Sequence, residues 1–280
     1  MRSSEELSRR QSGDTRAMSR IITMLISSCD AYSDLWDGHI ELLNRNWPER
    51  SFKVLLVTDK PTDRTYKGVE IVAAGAGVEM PQRIAYALDR VETPYVLLTL
   101  DDYYPVNRVR EEKISSLLDQ MGELEIDYLR LFKRPMPKRK ILGHEGLYWV
   151  DLDGNYRVNL YAGIWSAEFL KATVGEDLNA WQYEVSLTGK AREYGAVCAA
   201  SLGGEFETLD VVRKGKILHK AARYFRKDPV YQGDRGLCPL SHEVQIAVRT
   251  CMTEHLPKGA IGAMKRVMAK FGFKFYSGLN

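Results

Sequence analysis

The sequence predicts an α/β fold, an open mixed sheet with helices on its faces, and three features predict it. Through the first 110 residues, short apolar runs alternate with amphipathic helical patterns. Three of the four strand-like runs end in small polar or acidic residues, at the strand ends where ligands gather in open α/β sheets. Beyond residue 110 the alternation gives way to shorter segments of antiparallel type, which makes the sheet mixed.

The elements follow in order. IITMLISS (21–28) reads as a buried strand. YSDLWDGHIELLNRNW then puts Leu35, His39, Leu42 and Leu43 on one helical face, and FKVLLVTD (52–59) returns as a second strand, completing a βαβ unit. VEIVAA (69–74) is a third strand. After a glycine-rich turn, MPQRIAYALDRV (80–91) reads as a helix with Pro81 in its first turn, and YVLLTL (95–100) is a fourth strand that delivers Asp101 and Asp102. The second half reads as a helix over 111–121, a strand DYLRLFK (127–133) and a basic loop KRPMPKRK. Two antiparallel strands then follow in LYWVDLDGNYRVNLYAGIWS, joined by an Asp-Gly-Asn turn. NAWQYEVSLTG opens another helix with Asn179 as N-cap.

Composition narrows the function classes. The chain of 280 residues is 45% hydrophobic with a net charge of +3, which suits a folded protein. Near-neutral charge, with no zinc-finger, RRM or Gly-rich RNA-binding pattern, speaks against a nucleic-acid partner. Cys29, Cys198, Cys238 and Cys251 form no CxxC pair and read as reduced thiols rather than a zinc site. The first 20 residues lack an apolar h-region and are expected to be a disordered extension. No later stretch reaches the ~20 apolar residues of a membrane span, so a cytoplasmic protein is expected.

The glycine motifs exclude as well. No GxGxxG follows the first strand and no GxxxxGK[ST] occurs, so a dinucleotide oxidoreductase and a P-loop NTPase both lose ground. What remains is a strand ending in paired carboxylates. Asp101 and Asp102 are hard oxygen ligands suited to Mg²⁺ or Mn²⁺, ions that keep several waters and bridge phosphate oxygens. The plainer alternative is a solvated strand-ending turn. Side chains of adjacent strand residues point to opposite sides, so one of the pair would reach a cation and the other orient a ribose or sugar hydroxyl.

SSCDAYSDLWDGHIELLNRNWPE, LLTLDDYYP, NLYAGIWSAEFLKATV, NAWQYE and VVRKGKI follow one another across roughly residues 21–220. In that order they resemble a group of bacterial GT-A-type glycosyltransferases of surface polysaccharide (lipopolysaccharide or capsule) assembly. Two departures stand out: Leu-Asp-Asp-Tyr replaces a spaced Asp-x-Asp, and Tyr183 stands where Phe is usual before Glu184. The resemblance implies a GT-A-like, Rossmann-type open mixed sheet flanked by helices over 21–235, followed by a C-terminal helical tail over 236–280. It also implies a nucleotide-diphosphate sugar donor, with Mn²⁺ or Mg²⁺, in the 21–110 half and a glycan hydroxyl acceptor, free or lipid-linked, in the 111–235 half. Transfer would be inverting. A sugar nucleotidyltransferase shares the sheet and acidic metal site but needs a Gly-rich basic loop after its first strand, which SSCDAYSDLW does not supply. A non-catalytic nucleotide-sugar-binding module is the other alternative.

On this reading Ser27, Ser28, Asp30, Asp59 and Asp101 meet the donor, Asp59 either accepting from a uracil or ribose group or capping the DKPTD turn. Asp101 and Asp102 hold the metal, with His219 either completing its shell or structural. Lys216, matched by the family's Gly-Lys, faces the leaving phosphate just ahead of a helix N-terminus. Glu184 is the catalytic base, three residues after Trp181 on one helix face, with Trp181 as a platform for a sugar ring. The alternatives are a Glu184 that compensates the helix dipole and an Asp177 in VGEDLN that acts as the base. Trp165 either lines the acceptor pocket or packs in the core.

The tail contains Lys258, Lys265, Arg266, Lys270 and Lys274 beside an apolar stripe of Ile261, Met264, Val267, Met268 and Phe271. A helix over 258–275 would either lie in an anionic membrane interface, peripheral on the inner membrane face, or dock on the catalytic domain.

Overall fold

The computed structural model describes residues 20–245. The extension expected over 1–20, apart from Arg20, and the helix expected over 258–275 lie outside them. The described residues form two compact units: Arg20–Leu209 with Val230–Gly233, and Asp210–Pro229 with residues 234–245.

The first unit opens with β1 (Ile22–Ser27), a 3-10 turn (Asp30–Leu35), α1 (Trp36–Asn46), β2 (Val54–Thr58), β3 (Glu70–Ala73), α2 (Met80–Leu88) and β4 (Tyr95–Leu100). It continues with β5 (Tyr103–Pro105), α3 (Glu111–Glu123), β6 (Tyr128–Arg130), β7 (Arg139–Lys140) and β8 (Leu147–Trp149). β9 (Gly163–Ser166), α4 (Ala167–Thr173), α5 (Ala180–Tyr194), β10 (Cys198–Ser201) and β11 (Thr208–Asp210) complete the order. Nine strands form one sheet in the order β3-β2-β1-β4-β9-β6-β10-β8-β7. β3, β2, β1 and β4 are parallel, whereas β9 runs antiparallel to both β4 and β6. The open mixed sheet flanked by helices that the sequence predicts is therefore the fold.

The strand sequences explain why the inner parallel strands β2, β1 and β4 are largely apolar. Successive side chains point to opposite faces, and both faces of this sheet are covered, so most positions take an apolar residue, with Thr23, Ser27, Thr58 and Thr99 as buried polar exceptions. Met24, Ile26, Val54, Leu56 and Leu97 enter the core on one face. Their neighbours Leu25, Leu55, Val57, Val96 and Leu98 enter the core on the other. The same rule buries Trp165. Ile164 and Trp165 of β9 face opposite cores, and the strand must lie between two others to bury both.

That demand overturns the hairpin expected from the Asp-Gly-Asn turn. β8 pairs with β7 and β10, and β9 pairs with β4 and β6. The residues between them form no strand; Gly154 and Tyr156 take positive φ, and Val158 and Leu160 sink into the core as irregular chain. Burial of β9 on both faces outweighs the local turn signal.

In the second unit, β12 (Val212–Arg213) and β13 (Lys216–Ile217) form a tight hairpin, followed by α6 (His219–Phe225). Lys214 and Gly215 both take positive φ at the hairpin tip, the backbone that a two-residue turn of matching twist requires.

Candidate functional site

The parallel strands end level with one another. Ser27 is in register with Val57 and with Leu100, Ser28 N donates to Val57 O at 2.9 Å, and Asp101 N to Ser27 O at 3.3 Å. Three polar groups, Ser28-Cys29-Asp30, Asp59 and Asp101-Asp102, therefore leave the sheet together. They are bonded to one another. Ser28 Oγ donates to Asp101 Oδ2 and itself accepts from Trp36 Nε1 at 2.6 Å. Asp30 N donates to Asp59 Oδ1 at 2.6 Å, and Lys60 Nζ lies 2.8 Å from Asp30 Oδ2. Ser27, by contrast, is a fully buried strand residue beneath this level.

The two adjacent aspartates have different surroundings. Asp101 is buried, its carboxylate bound by Ser28 and its carbonyl oxygen accepting from His39 Nδ1 at 3.0 Å. Asp102 is half-exposed. His39 lies beneath the turn, edge-on to Tyr104 with ring centroids 5.7 Å apart. Because a carbonyl only accepts, Nδ1 carries the proton. Burial then lowers the imidazole pKa to about 4.

Burial opposes the charge on Asp59, yet the bond from Asp30 N and the nearby Arg83 guanidinium hold its carboxyl below the usual range. Burial and the charge of Asp101 push the Cys29 thiol up. Arg83 itself went unnoticed in the sequence. It is 8% exposed, donates to Val78 O, and has a buried Nε without a partner among the described residues. Its signal was a cation on the buried face of α2, four residues before Ala87.

A second cluster lies around Glu184. Asn179 caps α5 as expected, its side chain accepting from Gln182 N at 3.0 Å while Gln182 returns a bond to Asn179 N. One turn later Glu184 is half-buried, with Oε1 3.5 Å from Leu160 N, and its charge helps burial raise the Tyr156 phenol pKa. Trp181 is 49% exposed and Asp177 is exposed. Tyr161, next to Leu160, meets Tyr103 at 5.2 Å between ring centroids and stacks on Phe132 at 4.2 Å. Tyr103 directly follows Asp102. The Leu160-Tyr161 dipeptide thus joins Glu184 to the acidic turn, through an aromatic row that the expected hairpin had concealed.

Trp165 is a correction. It is fully buried, stacked on Phe169 and packed against Tyr128, and so lines no accessible pocket. Lys216 and His219 belong to the second unit. Lys216 is an exposed residue of β13, and the N-terminus of α6 that was expected to favour phosphate is already engaged by protein. Glu243 Oε1 lies 2.8 Å from His219 N and 2.9 Å from its Nδ1, and these bonds overcome burial to hold the Glu243 carboxyl low. Among the described residues no group of three or more His, Cys, Asp or Glu is arranged to hold a metal, and no helix is long and apolar enough to cross a membrane.

No protein-family model and no curated protein matches the sequence. Solved structures with a similar chain path include S. aureus TarS, at 15% identity and a TM-score of 0.45, covering 68% of this chain and 37% of that one. A shorter TarS form (1–349) in complex with UDP-GlcNAc aligns at 15% identity and 0.44, over 70% of this chain and 60% of that one. A mycobacterial protein aligns at 11% identity and 0.46, over 73% and 71%. This chain spans less than two thirds of the length of either TarS form. At such identities the chemistry rests on this chain's own residues.

Proposed function

We propose that this chain is a nucleotide-sugar-dependent glycosyltransferase that moves a sugar, with inversion, to a glycan hydroxyl. The observation that carries the proposal is the joint position of the acidic strand ends and Glu184, linked by Tyr103, Tyr161 and Leu160. It supplies a donor side and a base side around one acidic turn.

Each residue has a role its surroundings suit. Asp59 accepts from the base or ribose, with Arg83 beside it. Asp101 is bound by Ser28 and His39 and so fixes the turn, and Asp102, half-exposed next to it, faces the diphosphate side. Glu184, half-buried on a capped helix, takes the acceptor proton. The acceptor oxygen then bonds to the anomeric carbon while the bond to the donor phosphate on the opposite face breaks. Asp177, exposed in a loop, is the second choice for the base. Trp181 offers a ring face to the sugar.

Mn²⁺ or Mg²⁺ fits this residue set. Such ions take one or two carboxylates and complete their shell with water and phosphate oxygens, so Asp102 with Asp101 behind it suffices without a three-residue cluster. A bound ion would neutralise charge on the leaving diphosphate.

A thermal-shift series with nucleotide-diphosphate sugars, with and without Mn²⁺, tests the reading. A ligand that binds only the folded state raises Tm with concentration. At least one nucleotide sugar should do so, and Asp59→Asn should weaken the effect. No shift with any of them would sink the proposal.

A further inference from the structure

The basic loop KRPMPKRK has no part in the transfer chemistry above, yet it covers a cavity of about 130 Å³ lined by Arg130, Pro135, Lys138, Trp149, Asp151 and Arg157. Arg130 is its unusual member. It is 1% exposed, and an arginine keeps its charge wherever it is placed. Its Nε donates to Phe132 O at 2.9 Å, and its terminal nitrogens to Pro135 O at 2.5 Å and Arg157 O at 3.5 Å. Three carbonyl oxygens meet this cation, and no carboxylate among the described residues pairs with it. A buried charge without a counter-ion is costly, and the five-donor fork has N–H groups left over.

The neighbours add to the imbalance. Arg157, with Nε fixed on Asp153 O at 3.1 Å, and Lys138 bring two more cations against the single carboxylate of Asp151. Two positive charges remain in excess, which matches a dianion better than a carboxylate. At about 130 Å³ the cavity has room for a tetrahedral oxyanion. Its position is also telling. Phe132, whose carbonyl binds Arg130, is the end of the aromatic row that starts beside Asp102.

We propose that this cavity is an anion subsite that takes a phosphomonoester carried by the acceptor, whose sugar lies along Phe132, Tyr161 and Tyr103. The acceptor part rests on the transferase reading; the anion site does not. Guanidinium forks and an ammonium recognise phosphate through charge-assisted bonds, and Arg130 gains in the complex the counter-charge it lacks alone.

Calorimetric titration of the full chain with inorganic phosphate and with glucose 6-phosphate tests it, alongside flotation with phosphatidylcholine vesicles with or without phosphatidic acid. Arg130→Met removes the central charge but also loosens the loop. The deciding variant is therefore Lys138→Gln with Arg157→Gln, two wall residues outside the core. Wild type should bind phosphate, and the double variant should bind it about tenfold or more weakly while keeping its nucleotide-sugar thermal shift. Response to the sugar phosphate alone assigns the group to a soluble acceptor, and response confined to phosphatidic acid vesicles assigns it to a lipid. Equal phosphate affinity in both proteins, or no phosphate-group binding in any arm, overturns the site. Phosphate binding that is lost in the double variant, with no nucleotide-sugar shift in either protein, keeps the anion site and removes the transferase.

Discussion

The parallel half of the sheet and the mixed half reach the same acidic turn by opposite means. In β3-β2-β1-β4, strands of four to six residues end in register, and the polar residues sit where the strands stop. Beyond β4, strands of two to four residues alternate in direction, and the side chains that matter come from the chain between them, at Phe132, Arg157 and Tyr161. A regular half fixes its site by backbone register. An irregular half fixes it by side-chain packing, so its site should be easier to damage from within the core.

The sharpest way to break this comparison is at Glu184, the base of the proposed transfer. Glu184→Gln keeps the helix and its cap but accepts no proton, so turnover should fall by about two to four orders of magnitude with donor affinity nearly unchanged. If Asp177→Asn shows that loss instead, the mixed half contributes through a loop and not through α5. The core of that half should prove equally demanding. Trp165→Ala empties a fully buried position and should cost about 3–5 kcal/mol in denaturant unfolding. Trp181→Ala, on the surface, should leave stability within about 0.5 kcal/mol and weaken only acceptor binding.

Two smaller effects probe the regular half. His39 is held neutral, with its pKa lowered from 6.5 to about 4, so between those values the unfolded chain binds the extra proton. The stability this contributes is complete above about pH 6.5 and is lost as pH falls toward 4, up to about 3 kcal/mol. His39→Gln should flatten that part of the stability curve; an unchanged slope would mean that another group carries it. Gly38, one residue earlier, has no room for a methyl group, since a Cβ there would stand 2.5 Å from Val230 O and 2.9 Å from the Tyr104 ring. Gly38→Ala should cost about 1–3 kcal/mol, measurable as a lower denaturant midpoint.

The same contrast explains what the sequence made legible. The four parallel strands, α1, α2 and the Asn179 cap were readable because period-2 and period-3.6 patterns and capping residues are local signals. Asp59 and Asp101 were readable because strand ends place them. The separation of Asp101 from Asp102 was not, since it depends on Ser28 and His39, 73 and 62 residues away in sequence. Arg83, Arg130 and the aromatic row were hidden for the same reason. Their roles come from partners that only tertiary packing brings together, and the false hairpin at Asp153-Gly154-Asn155 placed two of those segments wrongly.

The nine-stranded sheet is open, and each of its two outermost strands is a possible template for another chain. One border is β7, only two residues long, both exposed and both cationic. The other is β3, where Glu70 pairs with Lys53 at 3.0 Å and Tyr66 folds back to bridge Val69. A strand of a second molecule arriving at β7 meets two like charges and almost no ladder, and at β3 it meets an ion pair and a chain already in place. The borders that leave the sheet open for chemistry are thus guarded against fibre-like self-association.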